Sequence, residues 1–161
     1  MPDARTALER LLAVIESADT DRILEVLSDD VAIETELLEA PIHGKETVRQ
    51  LLEGAMDAYE SVRLEERMIV ASDREGAALV RAHARFRGDL EFYGETLRTA
   101  GKELTVAAAA FVRVDESGRI DWLMRVRDTF SIVRQLGIST DQMERILRRF
   151  EEEMGRRRKA A

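Results

Sequence analysis

The hydrophobic residues of this chain recur with a helical period in the first half and with the period of two typical of β-strands in the second. From Ala4 to Ser17 the apolar positions follow helical spacing, and Asp3 is placed to cap the first turn. A shorter helix and a weakly alternating strand at residues 31–37 come next. The clearest helical stripe follows Gly44 and consists of Val48, Leu51, Leu52, Ala55, Met56 and Tyr59.

Alternation dominates after residue 62 and predicts four strands, at residues 62–71, 77–88, 102–115 and 119–130. Helices followed by a meander of strands predict an α+β fold in which N-terminal helices pack on a curved antiparallel sheet. Apolar residues at helical spacing beyond Gly137 add an extra C-terminal amphipathic helix. We therefore expect residues 1–138 to form an α+β domain and residues 139–161 to extend that same domain.

Composition narrows the classes of function. The net charge of −7 disfavours binding to nucleic acid or to an anionic membrane, since either would need a positive surface. The chain has no cysteine, which excludes disulfides and thiolate chemistry, and its two histidines lack the spacing of metal ligands. Its first residues contain no long apolar run, so neither a signal peptide nor a membrane span is predicted. We expect a cytoplasmic protein without a metal site.

One carboxylate interrupts an apolar pattern near the end of the last predicted strand. Simple alternation places Asp128 on one face with Ile120, Trp122, Met124, Val126 and Phe130. A carboxyl desolvated by such neighbours gives and takes protons near neutral pH. The alternative is a structural salt bridge to an arginine. We predict that Asp128 is a catalytic acid/base.

The order of these elements resembles a known family. The segments GKELTVAAAAFVRVDESGRI and RVRDTFSIVRQLG, together with the Gly44-Lys45-Glu46 helix start, resemble a SnoaL-like domain of the nuclear transport factor 2-like superfamily over residues 6–137. That superfamily contains polyketide cyclases, limonene epoxide hydrolase-like enzymes, ketosteroid isomerases, dehydratases and members without catalysis. The resemblance implies a cone-shaped fold, with residues 1–138 as an α+β barrel domain that holds a pocket for a small molecule. It also implies a homodimer, while fold alone does not decide function.

The comparison with ketosteroid isomerases is unfavourable at the catalytic positions. The position of that family's catalytic base holds Thr35, and its acidic oxyanion donor falls on Ala110. Isomerase chemistry is therefore disfavoured, unless Glu34 or Glu36 substitutes through a register shift.

The comparison with epoxide hydrolases implies that Asp128 is a catalytic residue. In that family an aspartate stands ten residues after the hairpin glycine, as Asp128 stands after Gly118. The nearest match to the family's Arg-x-Asp pair is Arg81-Ala82-His83, in which a histidine replaces the acid. This departure fits the polyketide cyclases better, because they use His and Asp as acid and base.

The remaining candidates depend on which way each side chain points. Alternation turns Arg81, His83 and Arg85 toward solvent or a dimer partner, whereas a β-bulge would turn them into the pocket. His43 is placed in a loop at the rim. The residues predicted to line a pocket, or alternatively to be ordinary core, are Trp122, Met124, Tyr59, Met56, Phe86 and Phe111.

The leading hypothesis is a SnoaL-like enzyme that acts on a small, largely apolar, oxygenated molecule by acid/base catalysis without a cofactor. Asp128 would be the acid/base, with His83 and Arg81 or Arg85 assisting. The chemistry would be that of a cyclase, hydrolase or isomerase. The alternative is a non-catalytic module that binds a small ligand or dimerises through the open sheet face and the final helix.

Overall fold

A computed structural model describes residues 3–160. The predicted domain limits at residues 1 and 161 therefore lie outside the described residues. Helices cover one side of a curved sheet, and the predicted α+β class is confirmed. The five helices within the described part of the chain are α1 (Ala4–Glu16), α2 (Thr20–Glu25), α3 (Lys45–Leu52), α4 (Thr129–Leu136) and α5 (Thr140–Ala160). A short 3₁₀ turn, Met56–Ala58, leads into the long strands.

The main sheet has six strands in the order β2-β1-β8-β7-β4-β3. The strands are β1 (Leu27–Thr35), β2 (Ile42–His43), β3 (Tyr59–Ala71), β4 (Glu75–Phe86), β7 (Glu103–Val114) and β8 (Ile120–Arg127); β5 (Leu90–Phe92) and β6 (Glu95–Leu97) form a separate hairpin. The four strands predicted from alternation correspond to β3, β4, β7 and β8, and they pair antiparallel as expected. The sheet as a whole is mixed, because β1 pairs in parallel with β8. Alternation within a strand carries no information on the direction of a partner so distant in sequence.

The helices pack on one side of the sheet, which we call the inner face. Leu8 and Leu11 of α1 form a core with Val112, Val114 and other residues of this face. At the other end of β7, Leu136 of α4 joins a second cluster with buried inner-face residues that include Phe86, Leu104 and Val106. We call the opposite side of the sheet the outer face. The helices that contribute to these two clusters do not pack on it.

A β-bulge changes which residues of β8 point inward. Val114 of β7 pairs with Ile120, but the preceding residue, Arg113, pairs with Trp122, so one residue of β8 is extra. Beyond the bulge the inner face of β8 continues as Leu123, Arg125 and Arg127. The predicted shared face of Ile120, Trp122, Met124 and Val126 is therefore wrong: the last three lie on the outer face.

Helix α4 occupies residues that were predicted to end a strand. Asp128 caps its first turn, and Gly137 ends it in the left-handed conformation with φ of 69°. Phe130 consequently lies on a helix, where its side chain is 78 % exposed.

The C-terminal helix α5 packs against the rest of the chain. Its buried face consists of Ile146, Phe150 and Met154. The ring of Phe150 lies 5.0 Å from that of Tyr93 in the turn of the β5–β6 hairpin. Arg145 Nε donates to Glu95 Oε1 at 2.8 Å and ties the helix to the same hairpin. No helix within residues 3–160 is long and apolar enough to cross a membrane.

Candidate functional site

Five polar residues meet on the inner face of the sheet, at the ends of β1 and β8 and the start of β3. This inner polar cluster consists of Thr35, Glu36, Tyr59, Arg125 and Arg127. Strand pairing sets their positions, because Arg125 is the partner of Thr35 on one side and of Ala110 on the other. Arg127 has a small neighbour as well, Ala108.

Arg125 has no polar partner within the cluster. The residue is half-buried, and its Nε atom is inaccessible to solvent without a hydrogen-bond partner. Burial, and next the positive charge of Arg127, lower the pKa of Arg125 to about 10. The guanidinium is still charged at neutral pH, so the inner face carries a poorly compensated cation.

Arg127, unlike Arg125, has a charged partner. Its Nε atom lies 3.5 Å from Glu36 Oε1, an ion pair without hydrogen-bond geometry, since that Nε is also unsatisfied. Glu36 Oε1 additionally accepts a hydrogen bond of 2.8 Å from the Thr129 hydroxyl at the start of α4. The side chain of Glu36 is only 19 % exposed. The cluster thus contains one carboxylate that is already shared between two partners.

Tyr59 places its phenol beside both arginines. Its ring packs on Phe86 with 4.8 Å between ring centroids. Burial raises the pKa of Tyr59, while the charges of Arg127 and Arg125 oppose that rise. The phenol is therefore protonated at neutral pH and able to donate a hydrogen bond to an oxygen atom.

This arrangement combines the unpaired guanidinium of Arg125, the phenol donor of Tyr59 and the carboxylate of Glu36, which has partners on one oxygen. The first two stabilise negative charge on a bound oxygen, whereas the third is able to accept a proton. Such groups on an otherwise apolar face suit proton transfer to and from a small oxygenated molecule.

The structure places Asp128 elsewhere. The residue follows the end of β8 and is exposed, and its Oδ1 accepts a hydrogen bond of 3.0 Å from the Ser131 backbone N–H at the start of α4. The expected desolvation by Trp122, Met124 and Val126 is wrong. The catalytic role of Asp128 stays a prediction, but its physical basis in that apolar face is absent.

The other residues of the predicted catalytic group also lie outside the inner polar cluster. Strand β4 pairs with β7 without a register shift, so the bulge that would turn Arg81, His83 and Arg85 inward does not occur. His83 Nδ1 lies 3.1 Å from Thr105 Oγ1, and its Nε2 lies 3.5 Å from Glu65 Oε2. Arg85 pairs with a carboxylate of β3, that of Glu60, at 2.8 Å.

The predicted pocket-lining residues divide between the two faces. Tyr59 and Phe86 lie inside as expected, and the half-buried Met56 precedes them in the 3₁₀ turn. Those on the outer face are Trp122, Met124 and Phe111, the last with 42 % of its surface exposed. His43 is exposed on the edge strand β2, so a position at the rim is compatible with the structure.

Glu34 does not replace the missing isomerase base. It lies on β1 next to Thr35 but points to the outer face, where its Oε1 accepts a 2.8 Å hydrogen bond from the Trp122 indole. Residues 32–35 of β1 pair with β8 in continuous register, so the register shift that would bring Glu34 inward is absent there. Thr35 and Ala110, the two positions aligned with isomerase acids, instead flank Arg125.

A groove of about 310 Å³ lies between α3, the β5–β6 hairpin and α5. It is lined by Gln50, Leu51, Glu53, Ala55, Glu91, Phe92, Tyr93, Glu153 and Arg157. It contains none of the residues that the sequence predicted for substrate binding.

Sequence reasoning missed Arg125 and Arg127. The available signal was their spacing, since two arginines separated by one apolar residue near the end of a strand share one face. The bulge that turns this face inward lies at the hairpin between β7 and β8. Without it, alternation from Ile120 assigns both arginines to the outside.

A family model for the SnoaL-like domain matches residues 8–122, well over half of the chain. The chain belongs to the SnoaL-like family. The predicted resemblance to a SnoaL-like domain is confirmed. No match was found among curated proteins.

Solved structures with the SnoaL-like fold superpose on most of the chain. A protein from Xanthomonas campestris pv. campestris, proposed to be a polyketide cyclase, is 18 % identical with a TM-score of 0.69, over 83 % of this chain and 96 % of that one. An LEH-like epoxide hydrolase from M. tuberculosis is 17 % identical with a TM-score of 0.61, over 81 % and 86 %.

A third similar structure has a ketosteroid isomerase-like fold. This protein, from Catenulispora acidiphila, was solved in complex with trimethylamine, and it is 12 % identical with a TM-score of 0.65 over 84 % of this chain and 95 % of that one. At these identities the three likenesses establish the fold.

The role of Asp128 as a helix cap gives a testable prediction. Asp128→Ala removes the acceptor of the Ser131 N–H and is expected to lower the free energy of unfolding by about 1 kcal/mol. Asp128→Asn retains a capping oxygen and is expected to leave stability nearly unchanged. Urea unfolding of both variants checks this. Equal losses for Ala and Asn would show that the charge matters more than the cap.

Proposed function

We propose that this SnoaL-like protein is an enzyme that acts on a small, largely apolar, oxygenated molecule by acid/base catalysis without a cofactor. The observation that carries the proposal is the inner polar cluster, a group of proton donors and one carboxylate on an apolar sheet face. The general acid or hydrogen-bond donor is Tyr59, and Glu36 is the base. The arginines stabilise negative charge on the substrate oxygen.

For a ketone substrate the chemistry is a reversible proton transfer. Tyr59 and Arg125 donate hydrogen bonds to the carbonyl oxygen while Glu36 takes a proton from the adjacent carbon, which yields an enolate and a protonated carboxyl. Return of that proton to the same or another carbon restores Glu36. For an epoxide, Glu36 takes a proton from water as the water oxygen bonds to a ring carbon and the C–O bond of that carbon breaks. Tyr59 gives its proton to the oxygen released, Arg125 stabilises the charge on that oxygen, and transfer of the Glu36 proton back to Tyr59 through solvent leaves a diol and the starting enzyme.

One feature of the site and one similar structure support this assignment. Thr35, Ala108 and Ala110 place small side chains around the arginines, so the neighbouring strand positions leave more room than large side chains would. Among the similar structures, the M. tuberculosis protein is an LEH-like epoxide hydrolase, which makes epoxide opening a reasonable reaction to assay.

We further propose that the enzyme works in the cytoplasm, as the absence of cysteine suggests.

The proposal predicts that turnover depends on Tyr59. Exchange of the α-protons of 2-tetralone in D₂O, followed by NMR, and ring opening of styrene oxide test the two chemistries. Tyr59→Phe is expected to lower the rate of the accelerated reaction by about 10²-fold or more, because it removes the donor to the substrate oxygen. Glu36→Gln should lower it as well, since an amide is not a base.

The chain offers a matched control, since it contains two tyrosines. Tyr93 is also partly buried, with its pKa raised by burial, but it lies in the hairpin turn against α5. Tyr93→Phe should leave the rate unchanged. A wild-type protein that accelerates neither reaction, or a Tyr59→Phe variant as fast as wild type, would contradict the proposal.

We also propose that the protein is a homodimer joined through its outer face. This face exposes five apolar side chains, each 36–57 % exposed, on neighbouring strands: Met68, Val70, Leu79, Phe111 and Val126. A contiguous exposed apolar surface of this kind is typical of an interface. A second copy is the occupant that fits, because a two-fold contact would cover the same patch on both chains.

The proposed dimer has a direct test. Light scattering coupled to size-exclusion chromatography should give twice the chain mass of 18.3 kDa. The double variant Leu79→Glu and Phe111→Glu is expected to give the monomer mass, because four acids would then meet at the contact. A monomeric wild-type protein, or a double variant that remains dimeric, would refute this interface.

A further inference from the structure

The inner polar cluster has an excess of positive charge. Arg125 and Arg127 contribute two cations, and Glu36 is the carboxylate that the cluster sets against them. One positive charge is thus uncompensated on an inner face of a protein whose net charge is −7. Burying a charge is costly unless a partner of opposite sign is close, so this site favours an anionic ligand.

The excess charge is localised on Arg125. Glu36 is engaged by Arg127 and by the Thr129 hydroxyl, whereas no hydrogen bond or ion pair of the Arg125 guanidinium is found within residues 3–160. Its neighbours in the paired strands, Thr35 and Ala110, are small and uncharged. The Thr35 hydroxyl oxygen already accepts a hydrogen bond from the Leu37 N–H. Its proton is a further donor.

Three groups of the cluster are free to donate hydrogen bonds to a ligand: the guanidinium of Arg125, the Tyr59 phenol and the Thr35 hydroxyl. The planar fork of a guanidinium matches the two oxygens of a carboxylate. A single carboxylate also balances the single excess charge, whereas a phosphate dianion would reverse it. The ring pair of Tyr59 and Phe86 supplies an apolar surface for the remainder of such a ligand.

We propose that the inner polar cluster binds the carboxylate of a small, otherwise apolar organic acid, and that Arg125 is the residue that recognises it. The inference goes beyond the proposed function: it names a class of ligand for the same site and does not depend on turnover there. Binding and turnover are measured separately, so either can fail alone.

The test compares a carboxylate with its neutral isostere. Isothermal titration of the full chain with 2-naphthoate and with 2-naphthamide is expected to show binding of the acid and at least about 10-fold weaker binding of the amide. Arg125→Gln should weaken 2-naphthoate binding by about 10-fold or more and leave 2-naphthamide binding unchanged. Inorganic phosphate should bind more weakly than 2-naphthoate.

Arg113→Gln is the matched control, because Arg113 lies on the outer face and pairs there with Asp121 at 2.9 Å. It should bind 2-naphthoate as wild type does. If Arg125→Gln does not fold, Arg125→Lys keeps the charge but loses the fork and should still weaken binding. If neither variant folds, the wild-type comparison of acid and amide decides.

Three results would overturn the inference. These are no binding of 2-naphthoate to the wild-type chain, equal affinity for acid and amide, and unchanged 2-naphthoate affinity in a folded Arg125 variant. Binding of 2-naphthoate without turnover of 2-tetralone or styrene oxide would instead support this inference and contradict the proposed enzyme. Turnover without 2-naphthoate binding would support the proposed enzyme and contradict this inference.

Discussion

One extra residue in β8 determines the chemistry of the inner face. The bulge opposite Arg113 and Val114 shifts the alternation of β8, so that Arg125 and Arg127 point toward the helices while Trp122, Met124 and Val126 point away. A one-residue change in register exchanges the two faces of a strand. The core on either side, built on Val112 and Ile120 at one end and Leu136 at the other, fixes that register.

The arginine pair is tolerated because the surrounding structure stabilises its position. Arg127 lies beside Glu36, which α4 holds through Thr129, and α4 itself is capped by Asp128. Asp128 thus acts on the site through the helix that begins next to it. Arg125 receives no comparable support, and its proximity to Arg127 adds repulsion to the cost of burial. Such local instability is typical of a site that binds a ligand of opposite charge.

The sequence alone predicted most helices and strands, but it was less informative about which face of the sheet each side chain points to. The stripes of α1 and α3 and the four long strands follow from periodicity, as does α5 with Ile146 and Phe150. The parallel partner of β1 and the bulge in β8 depend on contacts between distant segments, which periodicity does not contain. The same limit explains the site. Tyr59 was singled out as part of a helical stripe although it begins β3, whereas Arg125 was not singled out, because simple alternation from Ile120 turns it outward.

The central claim is that Arg125 is an unpaired charge on the inner face, and its most direct test is the stability of Arg125→Met. Methionine keeps much of the side-chain length but removes the charge. Urea unfolding at one protein concentration should give a free energy equal to or above that of wild type. Arg113→Met, which breaks an exposed ion pair, should lose at most about 1 kcal/mol. A clear loss of stability in Arg125→Met, larger than that of Arg113→Met, would mean that Arg125 is paired and would contradict the account.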